Sequence, residues 1–246
     1  VIVLGLDPSL TNFGWAIHDT EAEGAARCLA RGRFQTTKKG FVDEVSRYVF
    51  LRKSLEELLE AHPEVEVMGI EHPVMNEDYS EGMYALFIQS LIAIKGQSKD
   101  LVLVGPPQIK KFARDKSGLP SDWKMGKQDM SDTARDDTGG GRWDHNEADA
   151  YHVACFAGRW WKYYVGDLED DELTPYELKT FTHIRRITKG KRAGQLEIKG
   201  FLHREGDRFF LWSMTSRDPH VAKKTHRKTR RKKEDLQKSS SQKGDG

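Results

Sequence analysis

The sequence predicts an α/β protein: a mixed sheet flanked by helices, then a small β-rich extension and a disordered basic tail. Three observations carry this. The chain opens on two apolar runs joined by a short turn, the pattern of a β-hairpin. Apolar strand-like runs then alternate with helix-period segments, giving the order β-β-β-α-β-α-β-α. Beyond residue 166 the pattern changes to an acidic linker and short strands with Gly turns, and the last thirty residues hold too few apolar side chains to fold.

The first strand is Val1-Ile-Val-Leu-Gly-Leu-Asp7, apolar and β-branched until it ends on an acid. Pro8-Ser-Leu-Thr-Asn12 has turn chemistry, and Phe13-Gly-Trp-Ala-Ile-His-Asp19 returns as the second strand. Residues 26–37 predict a third, antiparallel strand, ended by Lys38-Lys-Gly40. Residues 41–62 predict a helix, with Val42, Val45, Val49, Leu51, Leu55, Leu58 and Leu59 recurring near its period. Val65-Glu-Val-Met-Gly-Ile70 is a strand with Glu71 at its carboxyl end. Residues 83–95 predict a buried helix, 100–104 a short strand, and 108–113 the start of a helix after two prolines. Residues 115–141, rich in Lys, Asp and Gly, read as a mobile loop with at most a short helix near 127–135. Asp144-His-Asn-Glu-Ala-Asp-Ala150 opens a helix running through Trp161, and its aromatic end, Trp160 to Tyr164, is read as packing on the sheet. Thr174-Pro175 with Glu177 is a helix start, Thr174 capping and Pro175 at the first position. Strands are expected at 183–187, 195–202 and 208–214.

The net charge of +2 hides an asymmetry: residues 217–246 hold eleven Lys and Arg against four Asp and Glu, leaving 29 against 34 in the rest. A basic tail on an acidic body implies a polyanionic partner, most simply nucleic acid. Two cysteines, Cys28 and Cys155, make neither a disulfide framework nor a zinc spacing and fit a reducing compartment. No apolar run approaches the ~20 residues of a membrane span, and an opening strand predicts no signal peptide.

Two distant strands each end in a carboxylate, Asp7 and Glu71, and Asp149 brings a third on a helix. Taken alone, Asp7 reads equally well as a turn cap, and the acids of 144–149 as a first-turn complement to the helix dipole. Together, at one end of a sheet, three carboxylates repel unless a divalent cation sits among them. Oxygen ligands suit Mg²⁺ or Mn²⁺. Two such ions about 4 Å apart activate water and stabilise the leaving oxygen in phosphodiester hydrolysis.

Gly5-Leu-Asp-Pro-Ser-Leu-Thr-Asn-Phe-Gly14, Gly69-Ile-Glu71 and Asn146-Glu-Ala-Asp-Ala150 resemble the RuvC family of Holliday-junction resolvases, its phage branch as much as its bacterial one, within the RNase H-like superfamily. Pro107-Gln-Ile-Lys-Lys111, with Lys127 beyond it, resembles that family's Lys-bearing stretch. The likeness covers about residues 1–162. It implies an RNase H-like nuclease domain over 1–166; the 167–216 extension, of unassigned role, matches nothing in the family, and the basic tail follows over 217–246. It further implies a homodimeric, metal-dependent endonuclease that nicks branched DNA, in the cytoplasm of a bacterium or a phage-infected cell, with no membrane partner. By that likeness Asp7, Glu71 and Asp149 hold two Mg²⁺ or Mn²⁺ ions, with Asn146 as the fourth catalytic and metal-site position, and Lys110 and Lys127 contact DNA near the scissile phosphate. Lys110 and Lys127 read equally as solvated helix lysines. Two departures stand out: Asn146 occupies the place of the family's fourth acid, and Val74 that of the aromatic wedge of bacterial relatives. Helical geometry puts Asn146 and His145 beside Asp149, with Glu147 on nearly the opposite side and Asp144 before the helix. An Asn146 that merely caps the helix is the alternative.

Other readings remain open at this level. Actin-like ATPases also open on a strand–Asp–turn hairpin, but they need a second Gly-rich phosphate loop in a second domain, which this chain lacks. Another RNase H-like nuclease acting on flaps, other branched DNA or RNA, or a weakly catalytic DNA-binding accessory of the same fold, fits the same residues.

Overall fold

The computed structural model describes residues 1–73, 81–95, 97, 99–181, 184–186, 196–205 and 208–213. Val74 and the 217–246 tail lie outside them. Strands β1 (Ile2–Asp7) and β2 (Asn12–Asp19) form the expected hairpin, with Asp7 opposite Gly14. β3 (Cys28–Gln35) pairs antiparallel with β2 across a bulge at Ile17/His18. After helix α1 (Glu44–Ala61), β4 (Val67–Glu71) runs parallel to β1. After α2 (Glu81–Lys95), β5 (Asp100–Val104) runs parallel to β4. The order β3-β2-β1-β4-β5 is a mixed sheet, and α3 (Pro106–Lys116), α4 (Lys127–Asp137) and α5 (His145–Val165) follow it.

Strand periodicity decides which face each side chain serves. On β1 and β4, Leu4, Leu6, Met68 and Ile70 join Leu51, Leu55, Leu59 and Leu86 in the core under α1 and α2. The alternate residues Val3 and Val67 join the core under α5. Gly5, Asp7, Gly69 and Glu71 share the parity of Val3 and Val67, so both strand-end acids face α5.

The glycines explain how closely that helix sits. Gly5 and Gly69 are neighbours across β1 and β4. A Cβ on Gly5 would lie 2.0 Å from the Ala150 carbonyl oxygen, and one on Gly69 would lie 2.8 Å from Ala157 Cβ. A Cβ on Gly14 would lie 2.2 Å from the Asn146 carbonyl oxygen. The sheet therefore presents bare backbone where α5 crosses it, and the first turns of α5 are seated directly beside Asp7.

Two expectations need correction. The 41–62 helix begins at Glu44, where Asp43 Oδ1 caps it by accepting from the Ser46 amide at 2.7 Å. Val42 is 97% exposed and Val45 66%, so the buried stripe starts later, at Leu51, Leu55, Leu58 and Leu59. Helical spacing alone could not tell a core face from an exposed apolar one. In the 115–141 stretch the short helix expected near 127–135 is present as α4, but the stretch is packed rather than a mobile loop. α3 continues to Lys116, and α4 buries Met130 and Ala134 against α5, with Met125 and Thr138 buried at its flanks. Four small apolar or hydroxyl contacts among many charges left little periodic signal.

Beyond α5, which ends at the left-handed Gly166 (φ 97°), α6 (Pro175–Phe181) starts as expected. The Glu177 amide donates to Thr174 Oγ1 at 3.2 Å, and the Thr174 amide to Glu177 Oε2 at 2.9 Å, a reciprocal cap. Trp160 and Tyr163 are buried, and the Tyr163 ring lies 5.9 Å from that of Phe181, the packing role expected of the aromatic helix end. Strands β6 (Ile184–Arg186), β7 (Leu196–Glu205) and β8 (Arg208–Ser213) form the β-rich extension. β7 pairs antiparallel with β5 through Leu101–Leu202 and Val102–Phe201, so the extension continues the sheet.

Candidate active site

The site lies where β1 and β4 end and α5 begins. The acids act on one another's ionisation: the Glu71 and Asp149 charges raise Asp7, and the Asp149 charge raises Glu71. The Asp7 carboxyl is held well above its ordinary value by burial first, then by the Glu71 and Asp149 charges. Glu71 is pushed up to about 7 by burial and by Asp149, with Lys110 pulling the other way. Asp149 is raised to about 6 by burial, against the opposing pull of Lys110, His145 and Lys127. Lys110, on α3, and Lys127, at the start of α4, thus both act on this acid cluster from the helices that follow β5.

The N-terminus of α5 completes the arrangement. Asp144, not Asn146, is the cap: its Oδ1 accepts from the Asn146 backbone amide and from Asn146 Nδ2, both at 3.0 Å. Its other oxygen pairs with Arg33 Nη1 at 2.5 Å. Burial pushes the Asp144 carboxyl up, but the bonds from Asn146 and the Arg33 charge outweigh it and hold it below its usual value. Asp144 therefore stays ionised at the rim, and its charge raises both Asp7 and Asp149. Asn146 is 8% exposed, and with Nδ2 used on Asp144, Oδ1 is the atom it would turn toward a cation. Glu147 is drawn away to Arg31 Nε at 3.5 Å.

Three supporting arginines were missed in the sequence. Arg33 ties β3 to Asp144, and Arg31, stacked 3.6 Å over the Trp143 ring, donates to the Arg142 carbonyl at 3.0 Å. Buried Arg47, from α1, holds the turn after Asp7 by donating to the Leu10 carbonyl at 2.8 Å and to Thr36 Oγ1 at 3.1 Å. The arginines of β3 alternate along the strand, which is the only trace of this role in the sequence.

Three partly desolvated carboxylates, a rim Asp and an amide oxygen form a hard-oxygen donor set of the kind Mg²⁺ and Mn²⁺ prefer. Among the described residues, no three His, Cys, Asp or Glu side chains converge at ligand spacing as they stand. The case for a cation is therefore the mutual repulsion of the acids and the chemistry of their oxygens.

Comparison with solved structures decides the fold. Thermus thermophilus RuvC superposes with a TM-score of 0.50 at 21% identity, covering 63% of this chain and 91% of RuvC. The fold is that of RuvC. The same RuvC in complex with a Holliday junction substrate matches with a TM-score of 0.50 at 17% identity, covering 63% of this chain and 90% of RuvC. No protein-family model and no curated protein sequence matches this chain significantly. Nearly all of RuvC is thus represented in the chain, and Asp7, Glu71 and Asp149 lie together within this RuvC fold. None of the described helices is long and apolar enough to cross a membrane.

Proposed function

We propose that the protein is a metal-dependent endonuclease that resolves four-way DNA junctions as a homodimer in the cytoplasm of a bacterium or phage-infected cell. The observation that carries the reading is the cluster of Asp7, Glu71 and Asp149, each raised by burial or by its fellows, on a fold shared with RuvC. A neighbour of that fold is bound to a Holliday junction.

Asp7, Glu71 and Asp149 would hold two Mg²⁺ or Mn²⁺ ions, with Asn146 Oδ1 as the fourth donor. Such ions supply an activated water and stabilise the departing 3′ oxygen. The protein's own part is to place these donors on rigid strand ends and on the first turns of a helix pressed against Gly5 and Gly14. Asp144 engages the Asn146 Nδ2, which leaves Oδ1 as the atom that would serve a cation. Lys110 and Lys127 offset the acids' charge and stand ready for the scissile phosphate. For the dimer, Tyr84, Ile88 and Ile92 form an exposed apolar stripe on one face of α2, at 45%, 36% and 46% exposure.

The test is cleavage of a synthetic four-way junction in Mg²⁺, beside linear duplex and flap substrates. Wild type is expected to nick the junction preferentially, and Asp7→Asn to bind it without cleaving, since phosphate contacts carry binding. Equal cleavage by Asp7→Asn and wild type overturns the metal-site assignment. Junction binding by wild type without any cleavage leaves the DNA-binding accessory reading instead, and preferential flap cleavage leaves another nuclease of this fold.

A further inference from the structure

Among the described residues, Trp123 is 49% exposed, whereas Trp143 and Trp160 are 8% and 4% exposed. Trp143 is covered by Arg31, 3.6 Å over its ring, and by the ring of Tyr151. A single apolar side chain in solvent is ordinary; what sets Trp123 apart is how the chain holds it. It sits between α3 and α4, in a loop fastened on both sides. Leu119 before it packs against the core under α5, and Met125 after it is buried in that same core. The Trp123 amide donates to the Pro120 carbonyl at 3.0 Å, closing a turn over residues 120–123. The Arg114 guanidinium, from α3, donates to the Ser121 carbonyl within that turn. The Gly126 amide donates to Asp129 Oδ2 at 2.7 Å and fixes the start of α4. The backbone that carries the ring is thus set before any partner arrives, which lowers the ordering cost of binding.

The surroundings of the ring select its partner. Its exposed chain neighbours are Ser121, Asp122 and Lys124, with Lys127 exposed beyond the buried Met125. A protein-docking patch is a contiguous apolar area, and this is one flat ring among polar groups. A ring beside ammonium groups is the pairing that single-stranded nucleic acid uses, the ring stacking on a base and the cations holding phosphates. The location fits as well. His152 Nε2 donates to the Met130 carbonyl at 3.0 Å, joining α4 to α5. Lys127 and Asp149 each stand three residues earlier on those helices. Four residues of chain separate Trp123 from Lys127, about 14 Å at most, and the Lys127 charge acts on Asp7 and Asp149. The ring is therefore within a few nucleotides of a phosphate held at the acids.

We propose that Trp123 is a base-stacking residue, which holds an unpaired base of the strand to be cut while Lys124 contacts that strand's backbone. This rests on the nuclease reading of the acid cluster and adds a requirement to it: the substrate must offer a base outside its pair near the scissile phosphate. A linear duplex keeps its bases stacked within the helix, so the contact favours DNA whose strands exchange or end. Trp123 thereby contributes to the choice of substrate, whereas the acids carry the chemistry.

The test uses the full-length protein, without metal so that nothing is cut, and two labelled ten-nucleotide probes. One is oligothymidine and the other is the same length of abasic deoxyribose phosphate, which keeps every phosphate and lacks the bases. Fluorescence anisotropy is read at a salt concentration where binding by charge alone is weak. Wild type is expected to prefer oligothymidine by about tenfold or more. Trp123→Ala should abolish that preference and leave the abasic affinity and the melting temperature unchanged, and Trp123→Phe should keep most of it. Lys124→Gln should weaken both probes alike and lower the salt slope by about one. Equal binding of the two probes by wild type overturns the proposal, as does binding of neither. A preference that survives Trp123→Ala overturns it as well, and if that variant also sediments as a smaller species, the ring serves protein contact instead. The endonuclease reading fails separately: a Trp123-dependent preference in a protein that cuts no junction removes that reading and leaves base stacking in place.

Discussion

Asp7 is surrounded by other carboxylates, and its neighbour Glu71 titrates near 7. A carboxyl raised in the folded state binds more protons there than in the unfolded chain between pH about 4 and 7. Metal-free stability should therefore fall as pH rises through that window and level off above it. For Glu71 alone, the rise from 4.5 to about 7 corresponds to about 3 kcal/mol. Mg²⁺ should restore stability, with a larger rise in melting temperature at pH 8 than at pH 5. Equal rises at both pH values would argue that no cation sits among these acids. At Asn146, the side chain bonds the cap without being the cap. Asn146→Ala should lower junction turnover by ~10–100-fold, Asn146→Asp should keep or raise it, and Glu147→Gln should change it little because Glu147 serves Arg31. Steady-state cleavage assays with melting curves separate these outcomes from loss of fold.

At the scale of elements, the contact that matters is α5 on β1, β2 and β4. It works because Gly5, Gly14 and Gly69 leave no side chain between helix and sheet. Gly5→Ala would force a Cβ to within 2.0 Å of the Ala150 carbonyl oxygen, and no rotamer change can relieve a clash with backbone. Overpacking of this kind costs roughly 1–3 kcal/mol, and it should also lift Asp149 away from Asp7. Denaturant unfolding should show the loss. Gly40→Ala, where the nearest atom to a new Cβ is Thr37 Oγ1 at 3.4 Å, should stay within about 0.5 kcal/mol of wild type. The α1 cap offers a smaller effect: Asp43→Ala removes the bond from the Ser46 amide and should lower the melting temperature slightly.

At the scale of the molecule, β7 covers the edge of β5, a strand with Leu101, Val102 and Val104 buried. Ending the chain at Phe181 would bare that edge and invite strand pairing between molecules. The shortened protein should aggregate at concentrations where the full chain stays dispersed, as light scattering would register. On α2, Ile88→Glu with Ile92→Glu places charges on the exposed stripe and should convert the proposed dimer to monomer in sedimentation. Removing residues 217–246, with their excess of seven positive charges, should flatten the dependence of DNA affinity on salt while leaving low-salt cleavage intact. An unchanged slope would assign the tail to something other than DNA.

The strand-end acids were legible because a carboxylate closing a β-branched run conflicts with burial and needs a physical reason. The hairpin, the crossover helices and the capping box at Thr174 were equally legible, since strand alternation, helical period and cap chemistry are local properties of the chain. What tertiary structure alone decided lies in contacts between distant segments. Val42 and Val45 fit the helical period yet lie exposed, because period specifies a face without specifying what covers it. Met130 and Ala134 pack α4 against α5 although the sequence allowed only a short helix there, within a stretch read as a mobile loop. Arg33 reaches Asp144 across more than a hundred residues, and β7 joins β5 from beyond α6. The sequence by itself picked out the candidate acids and determined which local elements carry them. Only the packing of α5 onto bare glycine backbone decided that Asp149 and Asn146 stand beside Asp7, because that closeness is set by the absence of side chains on three strands at once.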